Sequence, residues 1–182
     1  GNPHGHPTVP TYTAKRMIVE DAFLVDGVRG VQDEMEVVFP PGFSVPAEVE
    51  ISANIRQALE RSPDISEGNI EVDTQGGVVT LSGTVPNIWQ RQKAELLAED
   101  NTGVATIDNK IQVRPAEERP DKEIGDRIRA AIKRQRALDE ENITVTVENG
   151  VAYLSGKAPH WDAFEAAGRV ASYTEGVREV TN

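Results

Sequence analysis

An internal repeat constrains the fold of this chain more than any other feature of its sequence. Shifted by 73 positions, residues 51–109 align with residues 124–182 without a gap, and 20 of the 59 aligned pairs are identical. Agreement at about a third of the positions over an ungapped stretch indicates a duplication. The sequence therefore predicts the same small fold twice.

Each copy opens with the periodicity of an amphipathic helix, because its apolar residues recur at intervals of three and four. The two apolar stripes consist of Ile51, Ile55, Ala58 and Leu59, and of Ile124, Ile128, Ala131 and Ile132. Apolar residues then alternate over 69–72 and 142–145, which is typical of a half-buried strand. The turns Gly76-Gly77 and Asn149-Gly150 favour a tight hairpin, and return strands are predicted over 78–82 and 151–155.

Glycines punctuate both copies at matching positions. Gly83 and Gly156 end the return strands, and Pro86 or Pro159 follows, a residue suited to the first turn of a second helix. We interpret this corner as a place that needs an unusual backbone angle, with an anion cradle as the alternative. The glycines predicted to be structural are Gly27, Gly77, Gly83, Gly103, Gly150, Gly156 and Gly176.

The unit is therefore α-β-β-α-β, and the fold class is α+β, with two helices on one face of a small three-stranded mixed sheet. A third strand, 104–113 in the first copy, completes it. The predicted domains are 48–114 and 121–182, the second with its last strand predicted to be truncated. Pro-rich linkers occupy 39–47 and 115–120, and residues 1–6 are interpreted as a flexible tail or a cloning remnant.

A partial third copy precedes the two complete ones. At an offset of 76, Thr8-Val9-Pro10 matches Thr84-Val85-Pro86, and Gly27-Val28 matches Gly103-Val104. Residues 7–38 are thus predicted to form a half-unit, a second helix and third strand without the first helix and hairpin. Because such a half-unit leaves apolar residues uncovered, we expect it to pack against a neighbour. A homo-oligomer contact through the half-unit is one form of this packing.

The pattern resembles the BON domain, named for bacterial OsmY and nodulation proteins. The residues that carry the resemblance in the two copies are Asn69, Ile70, Val72, Gly77-Val78, Leu81-Ser82-Gly83, Ala94, Ala98, Gly103-Val104 and Asn109, and Asn142, Ile143, Val145, Gly150-Val151, Leu154-Ser155-Gly156, Ala167, Ala171, Gly176-Val177 and Asn182. The resemblance implies a non-catalytic bacterial module at a phospholipid surface or among envelope proteins. It implies a periplasmic or envelope location, with a cytoplasmic one as the alternative.

Charge and composition exclude several classes of partner and chemistry. A formal charge of −11 argues against nucleic-acid binding, which needs a basic face. The absence of cysteine excludes disulfides and thiol chemistry. No nucleophile–base pair, paired carboxylates or metal-ligand spacing stands out, so we expect neither catalysis nor a cofactor or metal.

The best local basic patch lies on the first helix of the second copy. At about 100° per residue, Arg129, Lys133 and Arg136 fall on one flank of the apolar stripe, and Arg127 and Arg134 fall on the other. Such a helix can lie on an anionic membrane surface, or its cations can simply be solvated flanks. Trp89 is predicted either to pack partly or to anchor at an interface.

Two other function classes remain open. One is a sensor of a small ligand or of an ion such as K⁺, as in a potassium-binding relative of the family. The other is a structural array whose units associate with one another.

Overall fold

The computed structural model describes residues 7–182 except 26, 29, 66–68, 136–137 and 139–141. Residues 1–6, interpreted as a tail or remnant, and Arg136 of the basic patch lie outside the described residues. The chain divides into two compact units, residues 1–83 with 93–111 and residues 84–92 with 112–182. The predicted α+β class is confirmed, since helices alternate with the strands of three small sheets.

The first complete repeat has the predicted order of elements. They are α2 (Glu48–Arg61), β3 (Asn69–Gln75), β4 (Val78–Val85), α3 (Ile88–Glu99) and β5 (Thr106–Val113). The sheet order is β3-β4-β5. Backbone bonds from Ala105 N to Gly77 O (2.9 Å) and from Arg114 N to Val85 O (2.8 Å) join β5 to β4 at both ends. Both strands advance together between these bonds, so they run parallel.

The second repeat follows the same plan. Its elements are α4 (Asp121–Arg134), β6 (Ile143–Glu148), β7 (Val151–Gly156), α5 (Trp161–Ser172) and β8 (Glu179–Thr181). β6 and β7 are antiparallel, and β8 runs parallel to β7 in the register Val151↔Glu179 to Tyr153↔Thr181. The core between helices and sheet is built from the predicted apolar stripe, with Ile124, Ile128 and Ile132 buried. Burial of such side chains is the main stabilising term of a domain this small.

The N-terminal segment consists of β1 (Thr8–Val9), α1 (Tyr12–Phe23) and β2 (Glu36–Val37), with β1 parallel to β2. Val38 N donates to Val9 O at 2.8 Å, and 76 residues later Arg114 N donates to Val85 O at the same distance. The segment therefore repeats the backbone pairing of the second half of the first repeat.

The turn that follows each second helix depends on glycine. Gly103 and Gly176 adopt φ values of 95° and 94°, in the left-handed region that other residues adopt only with strain. A Cβ at Gly103 would lie 2.7 Å from Ile51 Cδ1, and one at Gly176 would lie 3.0 Å from Ile124 Cδ1. The turn therefore packs directly on the first isoleucine of the repeat's opening helix.

The proline prediction was wrong in position. Pro86 and Pro159 do not stand in the first turn of a helix, because α3 begins at Ile88 and α5 at Trp161. In the first repeat the return strand continues past Ser82 to Val85, where Val85 O pairs with the chain after β5. The strand thus extends into the corner, and the proline follows it.

Candidate functional site

A groove of about 780 Å³ lies between α4 and α5. α4 contributes Arg127 and Arg134 to it, and α5 contributes Arg169. The surface between these cations comes mainly from small or apolar residues, which are Ala130, Ala131, Ala166 and Val170. Three guanidinium groups around a shallow apolar floor can bind an anionic group that carries an apolar part.

Arg129, on the opposite flank of α4, makes contacts that stabilise the fold. Its Nη1 donates to Val145 O at 3.0 Å, and its Nη2 lies 2.7 Å from Asp126 Oδ1. The corresponding Arg56 of the first repeat donates to Val72 O at 3.3 Å. Because both copies make this bond, Arg129 holds the opening helix on the hairpin and is not a free cation for a ligand.

The pKa of Asp126 is affected by its contacts with Arg129 and Lys122. Hydrogen bonds from Arg129 and Lys122, in that order of importance, hold the pKa of its carboxyl below the usual range. Hydrogen bonds to the charged form of a carboxyl stabilise that form. Lys122 and Arg129 therefore share one carboxylate, that of Asp126, which offsets one of their two positive charges.

Arg127 is partly neutralised, whereas Arg134 is more available. Arg127 Nη2 lies 2.9 Å from Glu123 Oε1, and its Nη1 lies 3.6 Å from Glu175. Arg119 competes for the same two carboxylates at 3.0 Å each. Within the part of the chain that the structure describes, Arg134 has no ion pair, and it is exposed in the last turn of α4.

An aromatic pair stands at the end of the groove. The rings of Trp89 and Tyr173 are stacked with centroids 6.2 Å apart and an interplanar angle of 8°. Both belong to the second compact unit. Tyr173 lines the groove and keeps 67% of its surface exposed, while Trp89 is half-buried. Trp89 thus packs on one face of Tyr173.

Arg169 and Tyr173 are not among the site residues predicted from the sequence. The signal was present in the repeat itself, since their counterparts in the first copy are Leu96 and Asp100. The counterpart of Arg127 also differs in type and is the uncharged Asn54. A residue that differs between two copies of one fold is not required by that fold. Three such residues, Arg127, Arg169 and Tyr173, line the same groove.

The family is decided by a match to both repeats. A family model of the BON domain matches residues 47–115 and again residues 120–182. This chain belongs to the BON domain family. The resemblance suggested by the series of glycines is therefore confirmed.

The chain is similar to a curated protein and to two solved structures described below. Osmotically-inducible protein Y of Escherichia coli (strain K12) is 29% identical over 138 residues, 72% of this chain and 69% of that protein. Two structures of CdsD, a structural protein of the type III secretion system of Chlamydia trachomatis, align with 97% of this chain at 16% identity. The alignments cover 80% and 76% of the CdsD chains, with TM-scores of 0.30 and 0.31.

Two other kinds of feature bear on the function of the BON protein. Among the described residues, no group of three or more His, Asp or Glu side chains could hold a metal ion. In the same part of the chain, no helix combines the length and the apolar character needed to cross a membrane.

Proposed function

We propose that this BON protein is a non-catalytic binding module of the bacterial envelope, and that its α4–α5 groove contacts phosphate groups at a phospholipid surface. One observation carries the proposal. Arg127, Arg134 and Arg169 line a single groove in a chain whose formal charge is −11. Arginine matches phosphate geometry well, because its planar guanidinium can donate two parallel hydrogen bonds.

The negative net charge of the protein limits which of its surfaces can face an anionic membrane. An acidic protein is repelled as a whole by an anionic surface, but charges farther away than about 8–10 Å are largely screened at physiological salt. Binding therefore depends on the few cations that lie at the contact. Each basic residue close to an anionic leaflet contributes about 1 kcal/mol.

The aromatic pair suits the same surface. Tyrosine and tryptophan side chains are favoured at the boundary between headgroups and acyl chains, since they combine an apolar ring with a polar tip. Tyr173 is exposed beside the arginines, and its stacking on Trp89 holds its ring in place. The pair thus adds an apolar contact to the electrostatic one.

The similarity to osmotically-inducible protein Y suggests the conditions under which the protein acts. The name of osmotically-inducible protein Y links that protein to osmotic conditions, and we propose that this chain serves in a comparable stress response. An envelope location follows from the proposed contact with a phospholipid surface. No residue of the groove is given a catalytic role.

Vesicle co-sedimentation tests the proposal. We expect the protein to bind phosphatidylglycerol-containing vesicles in low salt, and to bind phosphatidylcholine vesicles much more weakly. The double variant Arg127→Gln/Arg134→Gln should weaken binding about 30-fold, since two cations at about 1 kcal/mol each are lost.

The repeat offers a matched control. Arg61 is the counterpart of Arg134 in the first copy, and Lys110 is an exposed cation of β5. Arg61→Gln/Lys110→Gln changes the net charge equally and should bind like the parent. Equal losses in both double variants, or no salt-sensitive binding to anionic vesicles, would overturn the proposal.

A further inference from the structure

One acidic side chain lies among the cations of the α4–α5 groove. Among the described residues that line it, Glu175 alone has a negative charge, beside Arg127, Arg134 and Arg169. A site for phosphate alone would bind its ligand less tightly with a carboxylate next to the guanidinium groups, because like charges repel. Glu175 therefore indicates a ligand that carries a positive charge as well as a negative one.

Arg127 and Glu175 lie side by side without closing a short hydrogen bond. Arg127 Nη1 lies 3.6 Å from Glu175 Oε2, whereas Arg127 Nη2 lies 2.9 Å from Glu123 Oε1. Charge-assisted N–H···O bonds are about 2.7–2.9 Å long, so the wider separation leaves both charges accessible to a ligand. Two opposite charges next to each other match a zwitterion that lies against them in the reverse order.

Arg119 fixes the position of the Glu175 carboxylate. Its Nη2 lies 3.0 Å from Glu175 Oε2, and its side chain is 20% exposed. Arg119 itself lines a separate cavity and not the groove. Within the described chain, both ion-pair contacts of Glu175 involve Oε2, so Oε1 can still accept from another donor. The carboxylate is thus held in place with one oxygen available to a ligand.

The charges of Arg119, Arg127 and Glu175 belong to the second repeat only. At the offset of 73, their counterparts in the first repeat are all uncharged: Pro46, Asn54 and Thr102. Both repeats nevertheless have the same order of elements. Because the fold forms without these charges, they are a feature of the groove and not of the BON fold.

We propose that the α4–α5 groove selects phosphatidylethanolamine, whose phosphate lies at Arg127 and whose ammonium donates to Glu175 Oε1. The inference rests on the proposed contact with a phospholipid surface and names the lipid. Two carbons separate the phosphate ester oxygen from the ammonium in this headgroup, so its two charges fit an arginine and a glutamate that are neighbours. Arg134 and Arg169 remain for the phosphates of adjacent anionic lipids.

The Glu175 carboxylate distinguishes ethanolamine from other headgroups. A primary ammonium has three N–H donors. The quaternary ammonium of choline has none, and its methyl groups keep the charge away from the carboxylate. A glycerol headgroup has no positive charge to offset that of Glu175. Ethanolamine is therefore the headgroup of the three that both neutralises Glu175 and hydrogen-bonds to it.

The apolar floor of the groove favours the lipid over free phosphoethanolamine. The floor comes from small or apolar side chains, and Tyr173 is 67% exposed beside them. The glycerol backbone and the first acyl carbons of a lipid can cover this surface, and burial of apolar area adds to the affinity. Free phosphoethanolamine has no such part, so we expect it to bind only at millimolar concentration.

Vesicles that differ only in their zwitterionic lipid test the proposal on the full chain. Both kinds contain the same fraction of phosphatidylglycerol, and the remainder is either phosphatidylethanolamine or phosphatidylcholine. In co-sedimentation we expect about fivefold tighter binding to the ethanolamine vesicles, the effect of one exposed ion pair at the upper end of its range. Equal binding to the two kinds of vesicle would overturn the inference.

Glu175→Gln should abolish this preference, and Glu118→Gln supplies the matched control. Glu118 is an exposed carboxylate that pairs with Arg178 at 3.1 Å and does not line the groove. Each variant removes one negative charge, but only Glu175→Gln should bind the two kinds of vesicle equally. Phosphatidylethanolamine also changes the packing of a bilayer, and that effect is the same for both variants. A preference that survives in Glu175→Gln, or that disappears in both variants, would overturn the inference.

The same measurements separate this inference from the proposed function. Binding to the vesicles of phosphatidylglycerol and phosphatidylcholine tests the groove contact, whereas the ratio between the two kinds of vesicle tests Glu175. Anionic binding without a preference would overturn this inference alone, and no binding to either kind would overturn both. Micromolar binding of free phosphoethanolamine in isothermal titration calorimetry would overturn the assignment to a membrane lipid.

Discussion

Arg16 Nε lies 2.7 Å from Glu99 Oε1, and this bond joins α1 of the N-terminal segment to the end of α3. The Glu99 side chain is 2% exposed and that of Arg16 is 37% exposed. A buried carboxylate is costly unless it is paired. The pair therefore ties the half-unit to the first complete repeat, the kind of packing against a neighbour that its uncovered residues required.

Arg16→Met should lower the free energy of unfolding by about 1–3 kcal/mol, because it leaves the Glu99 carboxylate buried without its charged partner. Glu99→Ser in the same chain should recover most of this loss, since Ser172 occupies the matching position of the second repeat and donates to Gly168 O. Urea denaturation followed by circular dichroism measures both. An unchanged urea midpoint in Arg16→Met would contradict the interpretation.

The loss of stability on replacing a glycine by alanine should depend on the space available for a Cβ and on the φ angle at that position. A Cβ at Gly156 would lie 1.9 Å from Asn142 O, whereas Gly27 has φ 88° with nothing within 4 Å, and Gly30 has open space and no positive φ. Gly156→Ala should therefore destabilise by more than about 2 kcal/mol, Gly27→Ala by about 1 kcal/mol, and Gly30→Ala negligibly. Thermal unfolding of the three variants tests this order, which a uniform effect would refute.

Asp121 should stabilise the second hairpin turn. Its carboxylate accepts from Asn149 N at 2.8 Å and from Gly150 N at 2.9 Å, as Glu48 accepts from Gly76 N at 2.6 Å in the first repeat. Asp121→Ala should cost about 1–3 kcal/mol, because charge-assisted bonds to turn N–H groups are lost.

The neighbouring Lys122→Ala serves as the matched control for Asp121→Ala. Hydrogen exchange at Asn149 and Gly150 reports the effect locally. Protection that is the same in Asp121→Ala and in Lys122→Ala would exclude the predicted role.

Asp126 should titrate below the usual range of an aspartate, because Arg129 and Lys122 hydrogen-bond to its charged form and hold its pKa down. A folded pKa below the unfolded one contributes stability above the unfolded pKa and loses it as the pH falls through the folded value. Arg129→Gln should move the pKa back up, which NMR titration of the carboxyl carbon detects. An unmoved pKa would show that Arg129 is not the main cause.

The local elements were predictable because they depend on neighbouring residues. The isoleucine spacing of α2 and α4 set their buried faces, and the Gly-Gly and Asn-Gly turns lie at positive φ as hairpin geometry demands. The end of the return strand and the position of the prolines were predicted wrongly, because they depend on hydrogen bonds between residues far apart in the sequence. β4 runs on to Val85 because the chain after β5 bonds to it, a contact between residues nearly thirty positions apart.

The duplicated α-β-β-α-β plan, its turns and the family could be predicted from the residues alone, since these follow from periodicity and backbone preference within each copy. Which partners each cation has follows from the packing of the elements, and not from the residue type. Arg127, Arg129 and Arg134 are equally basic in sequence, yet Arg129 binds Val145 O, while Arg127 and Arg134 meet Arg169 from another helix. This is because a side chain's partners come from elements far along the chain, and only packing brings those elements together.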